Sequence, residues 1–297
     1  MSLFLGSLVD RGMLLGELRQ QDIDDFVGRP QLQSPSSRAS YARQLNAFLN
    51  WVRQESLLEQ HELAAQVRHN GTGRLGRRLF LSPAEYRRVR ESIAEAASAL
   101  PAFRKRSGQV SWTIDLFDFA IATGLRLDEL VHLQWQDIRL ERGTVEVRPK
   151  AQKRDGFDFM PKGKRARFVE IQPLALEVLE RPQISGRRKD GLCRVFRAPR
   201  STIDGGQPFN PNRASKIWRR HRDLAGVSDP VPLHGLRHMY VSYSLILGWE
   251  TFYVQAFAGH ASVTTTEGYA QFTRQLCSRK ERDRLIQEIV DLGFSRP

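Results

Sequence analysis

Five side chains in this 297-residue sequence are of types that can act together on one bond. Arg126 lies in Ala122-Thr-Gly-Leu-Arg-Leu-Asp-Glu-Leu130. His234 and Arg237 lie in Leu233-His-Gly-Leu-Arg-His238. His260 lies in Ala258-Gly-His-Ala-Ser262, and Tyr269 in Thr266-Glu-Gly-Tyr-Ala270. A phosphodiester under attack gathers negative charge on its non-bridging oxygens, and fixed donors aimed at that charge are usually the largest catalytic contribution. Arginine is suited to this because it is planar, permanently charged and able to grip two oxygens. Imidazole can donate to a phosphate oxygen or move a proton. A phenol, with a pKa near about 10, needs such neighbours to ionise at neutral pH. The set suits attack of the Tyr269 hydroxyl on a phosphodiester, with Arg126 and Arg237 taking the developing charge. Taken singly, each has a plainer use: an arginine in a surface ion pair, a tyrosine in a core.

His238 follows His234 by four residues, a spacing that can bind zinc. The position after His234 is Gly235, not the glutamate of the metalloprotease helix, and no further ligand cluster accompanies the pair. No metal site is expected, and His238 reads as structural.

Three boxes resemble the tyrosine recombinase (phage integrase) family, in particular its Xer-like two-domain members. They are Gly124-Leu-Arg-x-x-Glu-Leu-x-x-Leu-x-Trp-x-Asp-Ile138, the His234-x-x-Arg237 box, and Gly259-His-Ala-Ser-Val-Thr-Thr-Thr-Glu-Gly-Tyr269. The resemblance covers about residues 80–275 through its motifs, and the preceding module only by position and helical content. It implies a mainly α fold with a small β-sheet: an N-terminal helical core-binding (SAM-like) domain and an α+β catalytic domain. It implies a site-specific recombinase or integrase that cuts and rejoins DNA through a 3′-phosphotyrosyl bond. The implied catalytic residues are Arg126, His234, Arg237, His260 and Tyr269, with Glu129 bracing the site. The implied partner is double-stranded DNA with a specific core site, bound as a dimer per site and a homotetramer on paired sites. No cofactor is implied, and the implied location is the cytoplasm, at the nucleoid. A type IB topoisomerase, or a non-catalytic DNA-binding protein on the same scaffold, is the alternative.

The family also carries a lysine on the β-hairpin after the first box, thought to protonate the departing 5′ oxygen. This hairpin offers Lys150, Lys153, Lys162 and Lys164. Spacing to the arginine that opens the next strand selects Lys162. Distance from Arg126 selects Lys150. Lys162 is the preferred candidate, and the other lysines would then contact the DNA backbone as point charges.

Elements must hold these residues in place. Ser37 to Arg53 reads as a helix, with Tyr41, Leu45, Phe48, Leu49 and Val52 on one stripe. Further helices are expected among residues 17–68, over 111–123, 211–224, 233–247, 251–258 and 263–274, and from Arg279 to Leu292. Thr144 to Arg148 alternates like a strand, and Arg167 to Ile171 is its expected partner. Ser82-Pro-Ala-Glu85 has the residues of a capping box with proline at the first helical position. The last helix, with Leu285, Ile286, Ile289 and Val290 on one side, suits either its own domain or a neighbouring subunit.

The expected domains are 1–68, a helical core-binding unit; 69–80, a basic linker containing Arg77 and Arg78; and 81–297, the catalytic unit with its C-terminal helix. The net charge of +13 favours a polyanionic partner. Residues 1–80 hold ten basic and eight acidic side chains, so nearly all of the excess falls beyond them, around the boxes. Arg213, Lys216 and Arg220 share a helix face that either enters the major groove or contacts phosphates. No apolar run approaches the roughly 18 residues of a membrane span, and no membrane partner is expected. The start is apolar but lacks the basic region of a signal peptide. Cys193 and Cys277 match no metal or redox spacing and read as reduced thiols.

Overall fold

A computed structural model describes residues 2–30, 35–57, 62–65, 80–99, 112–150, 159–162, 165–186, 191–197, 208–260, 266 and 279–297. The chain divides into two compact units, Met1–Leu75 and Gly76–Pro297. Each closes its own core.

The first unit contains α1 (Ser2–Asp10), α2 (Gln20–Gly28) and α3 (Pro35–Gln54). The stripe expected on α3 is the one buried: Leu45, Leu49 and Val52 are almost inaccessible, and Tyr41 and Phe48 pack at the margin. Phe4 and Leu8 of α1 meet Ile23, Phe26 and Val27 of α2 in the same core. Phe4 stands edge-on to Phe26, with centroids 4.9 Å apart. Gln20 and Asn46 each bond both backbone groups of one residue, Ala64 and Ala65, which ties the segment after α3 to the helices.

The second unit opens with α4 (Pro83–Ser98). Ser82 Oγ accepts the Glu85 amide at 3.2 Å, and the Glu85 carboxylate accepts the Ser82 amide at 2.7 Å. This reciprocal cap is worth about 1 kcal/mol. At the centre lies α5 (Trp112–Thr123), whose residues are all buried except Ile114. A helix buried on nearly every side belongs inside a core; its two buried carboxylates, Asp115 and Asp118, are paired with Arg181, and α5 is packed against by α4 and the elements that follow it.

Those elements are α6 (Leu127–Val131), β1 (Ile138–Arg139), β2 (Thr144–Val147), β3 (Arg167–Glu170), α7 (Pro173–Glu180), α8 (Pro182–Ser185), α9 (Pro211–Leu224), α10 (Gly235–Leu247), α11 (Thr251–Ala258) and α12 (Arg279–Val290). The strands form an antiparallel sheet in the order β1-β2-β3. Val145 faces Val169 and Val147 faces Arg167 in the register of β2 and β3. The architecture is therefore mainly α with one small sheet, as the boxes imply.

The last helix packs on its own unit. Ile289, Leu292 and Phe294 are buried there, with Leu285 and Ile286 at the edge. Gly293 accepts the Leu174 amide at 2.9 Å, and Gln172 accepts the Ser295 amide at 2.9 Å. The apolar start of the chain, which shows no clear periodicity, is helical as α1. Phe4 and Leu8 supply its buried side, while Leu3, Leu5 and Val9 stay exposed.

Candidate active site

The first box works through a glycine. α5 ends at Gly124, whose φ of +62° falls in the left-handed region open to glycine. A Cβ there would stand 2.4 Å from Tyr240 Cδ1, so this position excludes any larger residue. The turn sets Arg126 immediately before α6. Glu129, in the first turn of α6, accepts the Arg126 amide at 2.8 Å and an Arg126 guanidinium nitrogen at 3.1 Å. The Arg-x-x-Glu spacing thus makes one local clasp, capping the helix and orienting the arginine together.

Arg237 comes from the first turn of α10 and is only 3% exposed. One terminal nitrogen donates to Gly124 O at 2.7 Å, and the other donates to Ala258 O. Arg126 reaches the same place, donating to Gly259 O at 3.0 Å. Arg167, from β3, donates its Nε to Phe257 O at 2.9 Å. Three arginines from three elements therefore cap three successive carbonyls at the end of α11. The last carbonyls of a helix lack intrahelical donors and form the negative end of its dipole. A helix end of this kind aligns cations without neutralising them.

Gly259 makes the approach possible. Its φ is +64°, and a Cβ would come within 2.9 Å of both Arg167 Cδ and Nε. His260 follows directly, and its Nδ1 lies 2.9 Å from the hydroxyl of Thr266, which is fully buried. That bond fixes which imidazole nitrogen points into the site. His234 precedes α10, and its ring meets that of His238 edge-on, with centroids 5.0 Å apart.

The charges around these rings are lopsided. Burial lowers the His234 pKa, and Arg237, Arg126 and Lys162 push it in the same direction. Burial, then Arg237, Arg126 and Arg167, lower His260 to about 4. His238 is held at about 4 by burial, then by His234 and Arg237. All three rings are thereby biased toward the neutral form. Burial raises the Glu129 pKa, but the Arg167 fork and Arg126 outweigh it and keep the carboxyl below its ordinary range. Arg126 and Arg167 flank Glu129, and Arg126, Arg237 and Lys162 act together on His234, an excess of positive charge that suits an anion.

The two candidate lysines separate cleanly. Lys162 is exposed and acts electrostatically on His234. Lys150 is buried, its side chain 7% exposed, with Nζ donating to the Asp137 carboxylate and to His132 O. Asp137 is fully buried, takes the Gln134 amide at 2.8 Å and faces Arg148 Nε at 3.3 Å, so Lys150 is one of two cations that satisfy it. The expectation that an unchosen Lys150 contacts a DNA backbone is therefore corrected: it is an internal counter-ion. Lys153 and Lys164 lie outside the described residues.

Arg213, Lys216 and Arg220 are exposed on α9. Asn210 caps that helix by accepting the Asn212 amide at 2.9 Å, and Trp218 anchors the opposite face by donating to Val231 O at 2.9 Å. Tyr269, Arg77 and Arg78 lie outside the described residues, as does most of the helix expected over 263–274. Two contributors escape the sequence reading. Arg167 appears there only as the first residue of an expected strand and a spacing marker for Lys162, and Thr266 only within the last box.

Residues 91–275 match the phage integrase family. The chain belongs to the phage integrase family. Two curated relatives are the tyrosine recombinase XerC of Halalkalibacterium halodurans and XerD of Pseudomonas putida. The first is 29% identical over 164 residues, covering 54% of this chain and 50% of that protein. The second is 26% identical over 280 residues, covering 92% of this chain and 84% of that protein. The chain thus spans about half the length of some curated relatives and most of others. Among solved structures, a Tn1549 transposon integrase in complex with a circular intermediate DNA superposes with a TM-score of 0.64 at 16% identity. The match covers 97% of this chain and 98% of that one. It establishes the shared fold.

Proposed function

We propose that this protein is a site-specific tyrosine recombinase that breaks and rejoins DNA strands. The observation that carries this reading is the convergence of Arg126, Arg237 and His260 on the end of α11, with His234 and Lys162 beside them. The Tyr269 oxygen attacks the scissile phosphorus as its proton passes to solvent water. The bond from phosphorus to the 5′ oxygen breaks, and Lys162 supplies the proton that oxygen takes up. Arg126 and Arg237 hold the charge on the non-bridging oxygens, and His234 and His260 donate hydrogen bonds to the same group. The product is a 3′-phosphotyrosyl link and a free 5′ hydroxyl. Attack by the 5′ hydroxyl of a partner strand reverses the chemistry and completes the exchange. One phosphoester is exchanged for another at each step, so the reaction draws on no ATP.

In this reading the partner is double-stranded DNA with a specific core site. The helical unit, about residues 1–68, and the basic linker with Arg77 and Arg78 join the catalytic unit in gripping it. Arg213, Lys216 and Arg220 contact the backbone or the major groove. A dimer on each site and a tetramer on paired sites complete the exchange, at the nucleoid. Among the described residues, no helix is long and apolar enough to cross a membrane.

Covalent trapping tests the proposal. Wild type and Tyr269→Phe are incubated in EDTA with DNA fragments from around the gene, denatured, and the protein-linked DNA is sequenced. A wild-type adduct at one recurrent 3′ phosphate, absent from the variant, is the expected result. Adducts without site preference would point to a topoisomerase, and specific retention without an adduct to a binding protein.

A further inference from the structure

Arg167 is the one arginine at the end of α11 to which the recombinase reading gives no part. Its side chain is 11% exposed, and that of its partner Glu129 is 2% exposed. Its two terminal nitrogens donate to the two Glu129 carboxylate oxygens at 2.8 and 2.6 Å. Its Nε takes the Phe257 carbonyl at 2.9 Å. One planar group thus joins β3, α6 and α11 at three points. A lysine could supply the charge but not the fork.

Glu129 shows what this fork does. Its Oε1 accepts from Arg126 and Arg167 at 3.1 and 2.8 Å, and its Oε2 from the Arg126 amide and Arg167 at 2.8 and 2.6 Å. Each oxygen takes one bond from each arginine, which fills the roughly four acceptor positions of a carboxylate. Paired with Arg126 alone, Glu129 would cancel the charge that Arg126 offers to a phosphate. Shared with Arg167, the three groups retain one net positive charge, and Glu129 can orient Arg126 without neutralising it.

We propose that Arg167 is a positioning residue for strand cleavage. It satisfies the charge of Glu129 so that Arg126 remains available to the scissile phosphate, and it fixes the end of α11 from which His260 projects. This deepens the recombinase reading and rests on it.

The test is single-turnover formation of the covalent adduct on a nicked duplex carrying the trapped site, with DNA affinity measured alongside. Arg167→Ala is expected to slow adduct formation about 100-fold, the scale of losing one oxyanion donor. Affinity should stay within about threefold, because many other cations hold the backbone. The decisive variant is the double substitution Arg167→Ala with Glu129→Gln. A neutral amide no longer claims the charge of Arg126, so the double variant should be at least about tenfold faster than Arg167→Ala alone. Arg167→Lys should fall between Arg167→Ala and wild type. A packing role predicts a double variant as slow as the single one or slower, and that result overturns the proposal. So does wild-type speed in Arg167→Ala. If Arg167→Ala lacks a cooperative melting transition, Arg167→Gln with and without Glu129→Gln carries the same comparison. Absence of any wild-type adduct sinks the recombinase reading itself, and the role of Arg167 with it.

Discussion

Arg126, Arg167 and Arg237 each commit part of a guanidinium to the protein itself, whereas Arg213, Lys216 and Arg220 stand exposed along α9. The first group is held within hydrogen-bonding distance by carbonyls and a carboxylate. The second group contributes charge from an exposed helix face, where exact placement matters less. Cations of the first kind can stabilise a transition state, because stabilisation depends on donors already aimed when charge develops. Cations of the second kind lower the cost of bringing DNA close, an effect that spreads over many contacts. The same residue types thus divide between chemistry and binding according to how firmly they are held.

Substitutions break or sharpen that division. The largest expected effect is in Arg237→Ala, which should slow adduct formation by about 100- to 1000-fold. DNA affinity should fall far less, and gel-shift titration beside single-turnover kinetics separates the two. A comparable loss of affinity would place Arg237 with the binding group.

The two lysines give the next contrast. Lys162→Ala should slow cleavage by about 100-fold or more, the range of general acid catalysis, while leaving stability unchanged. A substrate with a 5′ sulfur in place of the leaving oxygen should recover much of that rate, because a thiolate departs without protonation. Lys150→Ala should instead lower unfolding stability by about 1–3 kcal/mol, since it leaves the fully buried Asp137 carboxylate with only Arg148, at 3.3 Å, as its cation. Urea denaturation distinguishes them, and a stable Lys150→Ala protein would contradict the internal counter-ion.

A smaller effect is expected from pH. Imidazoles of the unfolded chain titrate near about 6.5, while His238 and His260 are held at about 4 in the folded one. Between those values the unfolded chain binds more protons, so stability rises with pH across that window and falls on acidification through it. Thermal melting at steps from pH 7 to 4 should show the decline. Bound DNA should flatten it, because a phosphate beside His260 raises the imidazole pKa against Arg237, Arg126 and Arg167. The smallest effect is in Lys216→Ala, which should reduce the slope of log affinity against log salt by about one phosphate contact and leave the cleavage rate alone.

Much of this was legible where a local rule dictates the outcome. α9 runs over Pro211–Leu224 as expected, because Asn210 caps it and Pro211 suits the first position. α11 ends at Ala258, because Gly259 takes the left-handed conformation. The clasp between Arg126 and Glu129 follows from a three-residue spacing. What stayed hidden depends on partners distant in sequence. Arg167 meets Glu129 across 38 positions, and no spacing announces it. Two spacings in the sequence point to different lysines, Lys162 and Lys150, and the ion pair of Lys150 with buried Asp137 becomes visible only in the fold. The helical character of α1 was concealed by Leu3, Leu5 and Val9, apolar residues that remain outside the core and blur its periodicity.

The interlock of Gly259 and Arg167 also sets a direction for change over generations. A side chain at Gly259 collides with Arg167, so that glycine cannot be replaced while the arginine remains. Loss of Arg167 would remove the three nearest atoms, while the left-handed backbone would still restrain position 259. Descendants that have abandoned the arginine could then drift to asparagine or aspartate there, and a return would be blocked until the glycine was restored. The two positions form a ratchet, in which the order of substitutions is fixed by 2.9 Å of space.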